Sequence, residues 1–289
     1  MNSRETVRSV LAKAEAWLAE KGVDGPRLSA QLLLARALEK DRLAMLLDAD
    51  KPLAETELAP FRALIRRRAA GEPVAYILGE KEFYGLPFAV GPEVLVPRPE
   101  TEGIVEAVRE AFPTGGSGEG PLRFADLGTG SGCLAVSLAS LLPDASGLAV
   151  DASQAALGLA ASNAARNGVS GRLAFLRADF GRLPLPDGCC DLVVSNPPYV
   201  TCAEYAELSH EVADFEPRLA LVSGEDGLDA VRALLPEAAR LLRPGGLLLV
   251  EIGCRQGEAA CSLTREAGFR EVGVLRDLAG LQRIVRARA

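Results

Sequence analysis

The chain has 289 residues, 48% hydrophobic and 25% charged, with 29 glycines, the composition of a globular protein with a substantial core. Its net charge of −7 is uneven: residues 1–90 carry 14 Lys and Arg against 13 Asp and Glu, and residues 91–289 carry 18 against 26. That acidic C-terminal part argues against an extended nucleic-acid track, where phosphate contacts dominate binding. No apolar run approaches the ~20 residues of a membrane span, so no membrane association is expected. The start, MNSRETVRSVLAKAEAW, has charges at helical spacing where a secretory signal has an apolar core. The six cysteines form no CxxC pair, and the only histidine is His210. We therefore expect no metal site and no disulfide framework, and free thiols in a cytoplasmic protein.

In chain order, residues 4–50 read as helices. Val7, Leu11, Ala14 and Leu18 fall three and four apart, as one apolar helix face requires. Gly22 and Gly25-Pro26 break the pattern, and RLSAQLLLARALE and DRLAMLLD resume it. A further helix runs through ETELAPFRALIRRRAAG to Gly71, with Arg66-Arg67-Arg68 predicted as a solvated face. From Tyr76 to Val96 aromatics, glycine and proline come at short intervals, which predicts a hairpin linker. GSGEG at 116–120 reads as a connector. The predicted units are a helical domain over 1–75, a hairpin linker over 76–98 and an α/β domain over 99–289.

Beyond residue 121 strands and helices alternate. RFADLG, GLAVDA, LAFLRAD, DLVVSN, GGLLLVEIG, FREVGVL and QRIVRAR are the predicted strands. Helices over 133–142, 154–167, 229–242 and 256–267 separate most of them. This predicts a doubly wound, mostly parallel α/β sheet whose ligands sit at the carboxyl ends of the strands. The short connection between the last two strands suits an antiparallel pair.

Three consecutive strand ends carry cofactor-like features. Gly128, Thr129, Gly130, Ser131 and Gly132 join a strand to a helix through a turn that lets a ligand approach the backbone. Asp151 ends the next strand about 20 residues on, where a carboxylate grips a ribose diol. A dinucleotide dehydrogenase shares both features, and Asp151 could instead cap a helix, although Ser153 is better placed for that. Asp179 and Phe180 end the third strand, an acceptor for an exocyclic amine beside a ring that stacks on a purine. That order resembles the class I S-adenosylmethionine-dependent methyltransferases.

DLVVSNPPYV (191–200) ends the fourth strand in Asn196, Pro197, Pro198 and Tyr199. Prolines fix the backbone and remove N–H donors, which turns carbonyls outward as acceptors. With the Asn196 side chain and the flat face of Tyr199 they form a slot for a planar group bearing NH2. Adenine in nucleic acid and glutamine in protein both fit.

Longer stretches separate the two. GEPVAYILGEKEFYG (71–85), VLVPRPETE (94–102), DLGTGSG (126–132), DLVVSNPPYV, FEPRLALVSGEDGLDAVR (215–232) and LLRPGGLLLVEIGCRQG (241–257) together resemble the HemK/PrmC family, over most of the chain. The resemblance implies a class I methyltransferase fold with an N-terminal helical, partner-binding domain and a linking hairpin. It implies S-adenosylmethionine as donor, S-adenosylhomocysteine as product, and the Gly-Gly-Gln glutamine of peptide chain release factors as acceptor in translation termination. Gly128 to Gly132 would then line the methionine part of the cofactor, Asp151 would hold the ribose, and Asp179 and Phe180 the adenine. Asn196, Pro197, Pro198 and Tyr199 would form the glutamine pocket, with Asn196, Pro197 and Tyr199 catalytic and Asn196 also touching the cofactor. Phe180 replaces the tryptophan found there in some members. PRPETE has two compatible readings, a border of the site and the opening of a helix. Glu216 and Arg218 read as structural, and His210 as a surface helix residue. Two other readings stay open: an adenine-N6 methyltransferase acting on nucleic acid, and a non-catalytic cofactor-binding scaffold. We expect a monomer with a release factor as partner.

Overall fold

The computed structural model describes residues 5–113 and 120–289, so most of the GSGEG connector lies outside the described residues. Two compact units result. One runs through Gly79 and includes Ser209–Phe215; the other comprises Glu80–Leu208 and Glu216–Ala289.

The first unit is built from α1 (Val7–Glu20), α2 (Pro26–Ala37), α3 (Arg42–Leu47), α4 (Glu55–Ala69) and α5 (Val74–Leu78). Thr6 starts α1 with a capping box: its hydroxyl accepts from Ser9 N at 3.3 Å, and Ser9 Oγ accepts from Thr6 N at 2.9 Å. Val7, Ala14 and Leu18 are buried as their spacing requires, but Val10 completes the stripe and Leu11 is only half-buried. The basic run divides too. Arg66 and Arg67 face solvent, whereas Arg68 is 2% exposed. Its guanidinium donates to Glu211 at 2.6 Å and to the carbonyl of Glu72 at 3.0 Å. A buried guanidinium is tolerated only when paired in this way.

The second unit opens with a hairpin, β1 (Glu80–Phe83) and β2 (Leu86–Ala89). A single 3-10 turn, Pro99–Thr101, then leads into α6 (Glu102–Ala111). Alternation follows: β3 (Arg123–Leu127), α7 (Cys133–Leu141), β4 (Ser146–Asp151), α8 (Gln154–Arg166), β5 (Leu173–Arg177) and β6 (Cys190–Ser195). Next come α9 (Cys202–Tyr205) and α10 (His210–Ala213), the latter belonging to the first unit. The chain closes with α11 (Asp229–Leu241), β7 (Leu242–Glu251), α12 (Gly257–Glu266), β8 (Arg270–Arg276) and β9 (Gln282–Arg288).

The seven-stranded sheet has the order β5-β4-β3-β6-β7-β9-β8. Pairings among β3 to β7 are parallel; β9 runs antiparallel to β7 and β8. Its central strands are buried on both faces and so read as unbroken apolar runs. One face packs Phe124, Leu192, Val194, Leu247 and Leu249 under α6, α7 and the hairpin ring pair Phe83 and Phe88. The other packs Ala125, Val193, Leu248 and Val250 against α11 and α12. The chain winds outward from β3 to β5 and returns at β6 beside β3. This reversal of strand order leaves a crevice at the carboxyl edge, between the loops after β3 and β6.

Candidate active site

A cavity of about 220 Å³ opens at that crevice. Gly128, Thr129, Gly130 and Ser131 form one wall. Gly128, Gly130 and Gly132 all lie in the left-handed region, with φ of 78°, 54° and 80°. A side chain at any of them would be strained, and at Gly132 its Cβ would come within 3.0 Å of Ala160. Gly132 thus sits behind the wall, at the start of α7. Asn163, fully buried on α8, clamps the loop from below. Its Nδ2 donates to Ser131 O at 2.8 Å and to Ala89 O at 3.0 Å, and its Oδ1 accepts from Ala89 N at 2.8 Å.

Two carboxylates hold the same loop. Asp151 accepts from Gly130 N and from Ser153 N, each at 2.9 Å. Ser153 is indeed the cap of α8, accepting from Ala156 N at 3.2 Å. A carboxylate has about four lone-pair positions, so Asp151 keeps acceptor capacity toward the cavity it lines. Asp126 is fully buried at the end of β3. Its Oδ2 accepts from Thr129 Oγ1 at 2.6 Å and Ala135 N at 3.2 Å, while Oδ1 has no partner. Burial pushes its pKa up to about 7 despite those two bonds. Asp179 and Phe180 line the far end, with the Phe180 ring against Gly128. Open space above Gly130, a diol-competent acid and an aromatic plane fit a nucleoside-bearing cofactor.

Opposite stands the corner after β6. Asn196 and Pro198 line the cavity; Pro197 is buried behind them, and Tyr199 also stands outside the cavity wall. The prolines end the ladder because they bring no N–H. The Asn196 Nδ2 donates to Thr101 Oγ1 at 3.0 Å, and Asn196 Oδ1 is buried with no partner among the described residues. Tyr199 is tied through its carbonyl, which accepts from Gln256 Nε2 at 2.9 Å. Gln256 also accepts from Gly253 N at 2.8 Å and donates to Asp226 O at 3.1 Å, so one side chain joins three loops. Gly227 permits this approach, since a Cβ there would lie 2.3 Å from Tyr199 O. Desolvation raises the Tyr199 phenol pKa well above its usual range.

The remaining wall comes from two strap segments that line the cavity at Pro97, Arg98 and Thr101 and at Pro217, Leu219 and Ala220. Glu216, 4% exposed, staples them: it accepts from Arg98 Nη2 at 2.6 Å and from Val96 N at 3.2 Å. Arg218 stacks on Tyr205, 4.5 Å from the ring centroid. His210 is a solvent-facing helix residue beside Asp214. Sequence reasoning missed Thr101, Asp126, Glu251 and Gln256. For Glu251 a signal existed, an acid closing the apolar strand LLLV, the same signal that marked Asp151.

A sheet in this order with a glycine loop and an Asn-Pro-Pro-Tyr corner at its switch point defines a class I methyltransferase. A family model described as a methyltransferase domain matches residues 120–273, and one described as the PrmC N-terminal domain matches residues 9–79. Two solved structures share the fold. The catalytic domain of hMettl16 with a MAT2A 3′UTR hairpin has a TM-score of 0.57 at 16% identity, covering 78% of this chain and 81% of that one. A methyltransferase from Pyrococcus furiosus has a TM-score of 0.51 at 19% identity, covering 78% and 96%. At such identities the likeness concerns the fold alone. Curated relatives match over nearly the whole chain. The release factor glutamine methyltransferase of Nitratidesulfovibrio vulgaris is 49% identical, over 99% of this chain and 96% of that one. Those of Moorella thermoacetica and Geobacter sulfurreducens are 46% and 43% identical, covering 96% or more of each chain. The chain belongs to the release factor glutamine methyltransferase family.

Proposed function

We propose that this enzyme uses S-adenosylmethionine to methylate the side-chain nitrogen of the glutamine in the Gly-Gly-Gln motif of peptide chain release factors. Asn196 carries the reading: it lines the cavity, its Nδ2 is committed to Thr101, and its buried Oδ1 has no partner among the described residues. An unpaired buried acceptor costs about 1–3 kcal/mol, which a ligand N–H recovers. The names of the full-length relatives support a release factor as substrate.

When bound, S-adenosylmethionine supplies a methyl group made electrophilic by its sulfonium. Asp151 accepts from the ribose hydroxyls, Asp179 and Phe180 hold the adenine, and Gly128 to Gly132 flank the methionine part. An amide nitrogen is a weak nucleophile because its lone pair is delocalised. Asn196 Oδ1 and one backbone carbonyl of the Pro197-Pro198 pair accept hydrogen bonds from its two N–H groups, which favours the pyramidal nitrogen and offsets the positive charge growing there. Holding the amide at a fixed angle supplies the proximity contribution. Tyr199 and the Pro197 ring, behind the wall, keep Asn196 and Pro198 in place. The helical unit, with residues 9–79, is the part we assign to docking the release factor, in the cytoplasm and by a monomeric enzyme.

Purified enzyme with labelled S-adenosylmethionine should label a release factor, and replacing its acceptor glutamine should abolish the label. Equal labelling of DNA or RNA would favour adenine as acceptor. Cofactor binding without any transfer would point to a scaffold.

A further inference from the structure

The apolar run Leu247-Leu248-Leu249-Val250 of β7 ends in Glu251, which is 1% exposed. Buried carboxyls are normally paired, yet neither oxygen of Glu251 completes a hydrogen bond among the described residues. The acid follows directly on four buried aliphatic residues of the same strand.

Its surroundings say what it serves. The β6–β7 register sets Ser195 opposite Val250, so the next step brings Asn196 beside Glu251. Paired residues of parallel strands share a face, and Val194 and Leu249 lie in the core under α6. Thr101, 1% exposed, caps that face from the turn before α6. The Thr101 and Tyr199 hydroxyls lie close enough to draw the Glu251 pKa down, although neither closes to full hydrogen-bond geometry. Burial outweighs them and lifts it to about 7. The other charged or titratable groups facing it are Glu100 beside Thr101, Arg283 on β9 and Cys133 on α7. Arg283 is itself held by Asp277 at 2.9 Å.

A threonine hydroxyl has one hydrogen and two lone pairs. If its hydrogen points to a carboxylate, a lone pair faces Asn196, Nδ2 must donate there, and Oδ1 is left as the free acceptor. If the acid is neutral it becomes a donor, the hydroxyl hydrogen is released toward Asn196, and the amide is free to turn its NH2 to the cavity. That orientation repels a substrate NH2. We infer that Glu251 is the positioning residue for Asn196, acting through the Thr101 hydroxyl to keep Asn196 Oδ1 turned toward the substrate carboxamide. This rests on the function proposed above, and works like a base-orienting acid in a catalytic triad.

The test is a double-mutant cycle between Glu251→Gln and Thr101→Val, with Thr101→Ser as the conservative control. Methyl transfer to a release factor and S-adenosylmethionine binding are both measured. Glu251→Gln should lower kcat ~10-fold while cofactor Kd and substrate KM stay within about twofold. Wild-type kcat/KM should rise with pH through an inflection near 7, which Glu251→Gln removes. In the Thr101→Val background Glu251→Gln should change kcat less than about twofold, and Thr101→Ser should keep the wild-type rate. Thermal melts confirm folding, and Glu251→Gln should not lower the melting temperature above pH 7. An unaltered rate and pH profile in Glu251→Gln, with wild-type transfer intact, overturns this assignment alone. So do equal losses in both Thr101 backgrounds. Absence of wild-type transfer overturns the proposed function and this assignment together.

Discussion

The two sides of the crevice handle their polar atoms differently. At the β4 side, Asp151 is bound by two backbone N–H groups, one on each oxygen, and those bonds shape the glycine loop. At the β6–β7 side, Asn196 Oδ1 and both oxygens of Glu251 are buried without partners. One side is complete before a ligand arrives and is suited to binding. The other keeps desolvated acceptors, and under the proposed function their partner is a ligand N–H or a neighbouring hydroxyl, an arrangement that would serve the transition state. Asp126, between the two, belongs to both: one oxygen holds the loop and the other is unpartnered.

The comparison is sharpened most by Asn196→Ala. It should cut kcat ~100-fold or more, about 3 kcal/mol, while leaving S-adenosylmethionine affinity near wild type. Isothermal titration and single-turnover rates separate the two; parallel losses would move Asn196 to the cofactor side. Next comes pH. Glu251 and Asp126 have folded pKa values raised to about 7, chiefly by burial. Between about pH 4 and 7 the folded state then binds more protons than the unfolded one, so stability falls as pH rises and levels off above 7. Each contributes on the order of 3 kcal/mol to that decline. Denaturant titrations of the ligand-free protein across this window should show it, and Glu251→Gln should flatten it. A stability that instead rose with pH would mean the two acids are paired.

On the binding side, Asp151→Ala should weaken S-adenosylmethionine by about 2 kcal/mol, ~30-fold, through loss of its charge-assisted bonds. kcat at saturating cofactor should change little. The smallest effect is expected for Phe180→Ala, about 1 kcal/mol in cofactor affinity from lost stacking, with Phe180→Trp restoring it. A larger effect on turnover than on affinity in either variant would erase the distinction between the two sides.

Much of this was legible in the sequence for a physical reason. Strands buried on both faces have no choice but to be apolar, so the central strands of the main sheet stand out, and an acid or proline at the end of such a run marks the ligand edge. Glu251 carries the same mark, but nothing in the chain's order says that β7 lies beside β6. The roles of Thr101 and Glu216 depend on contacts 95 and 118 residues away, with Asn196 and Arg98. Arg68 reads as solvated from its neighbours Arg66 and Arg67, and only its pairing with Glu211, 143 residues on, explains its burial. The assignment of Ser209–Phe215 to the helical unit leaves no local trace either. Periodicity reports which face is buried, not which partner covers it.

The most direct measurement is a crystal structure of the enzyme with S-adenosylhomocysteine and a glutamine-bearing release factor segment. The glutamine side-chain nitrogen should lie about 3 Å from Asn196 Oδ1, with Nδ2 still on Thr101. A carboxamide bound elsewhere, or an Asn196 Oδ1 engaged by the cofactor, would contradict it.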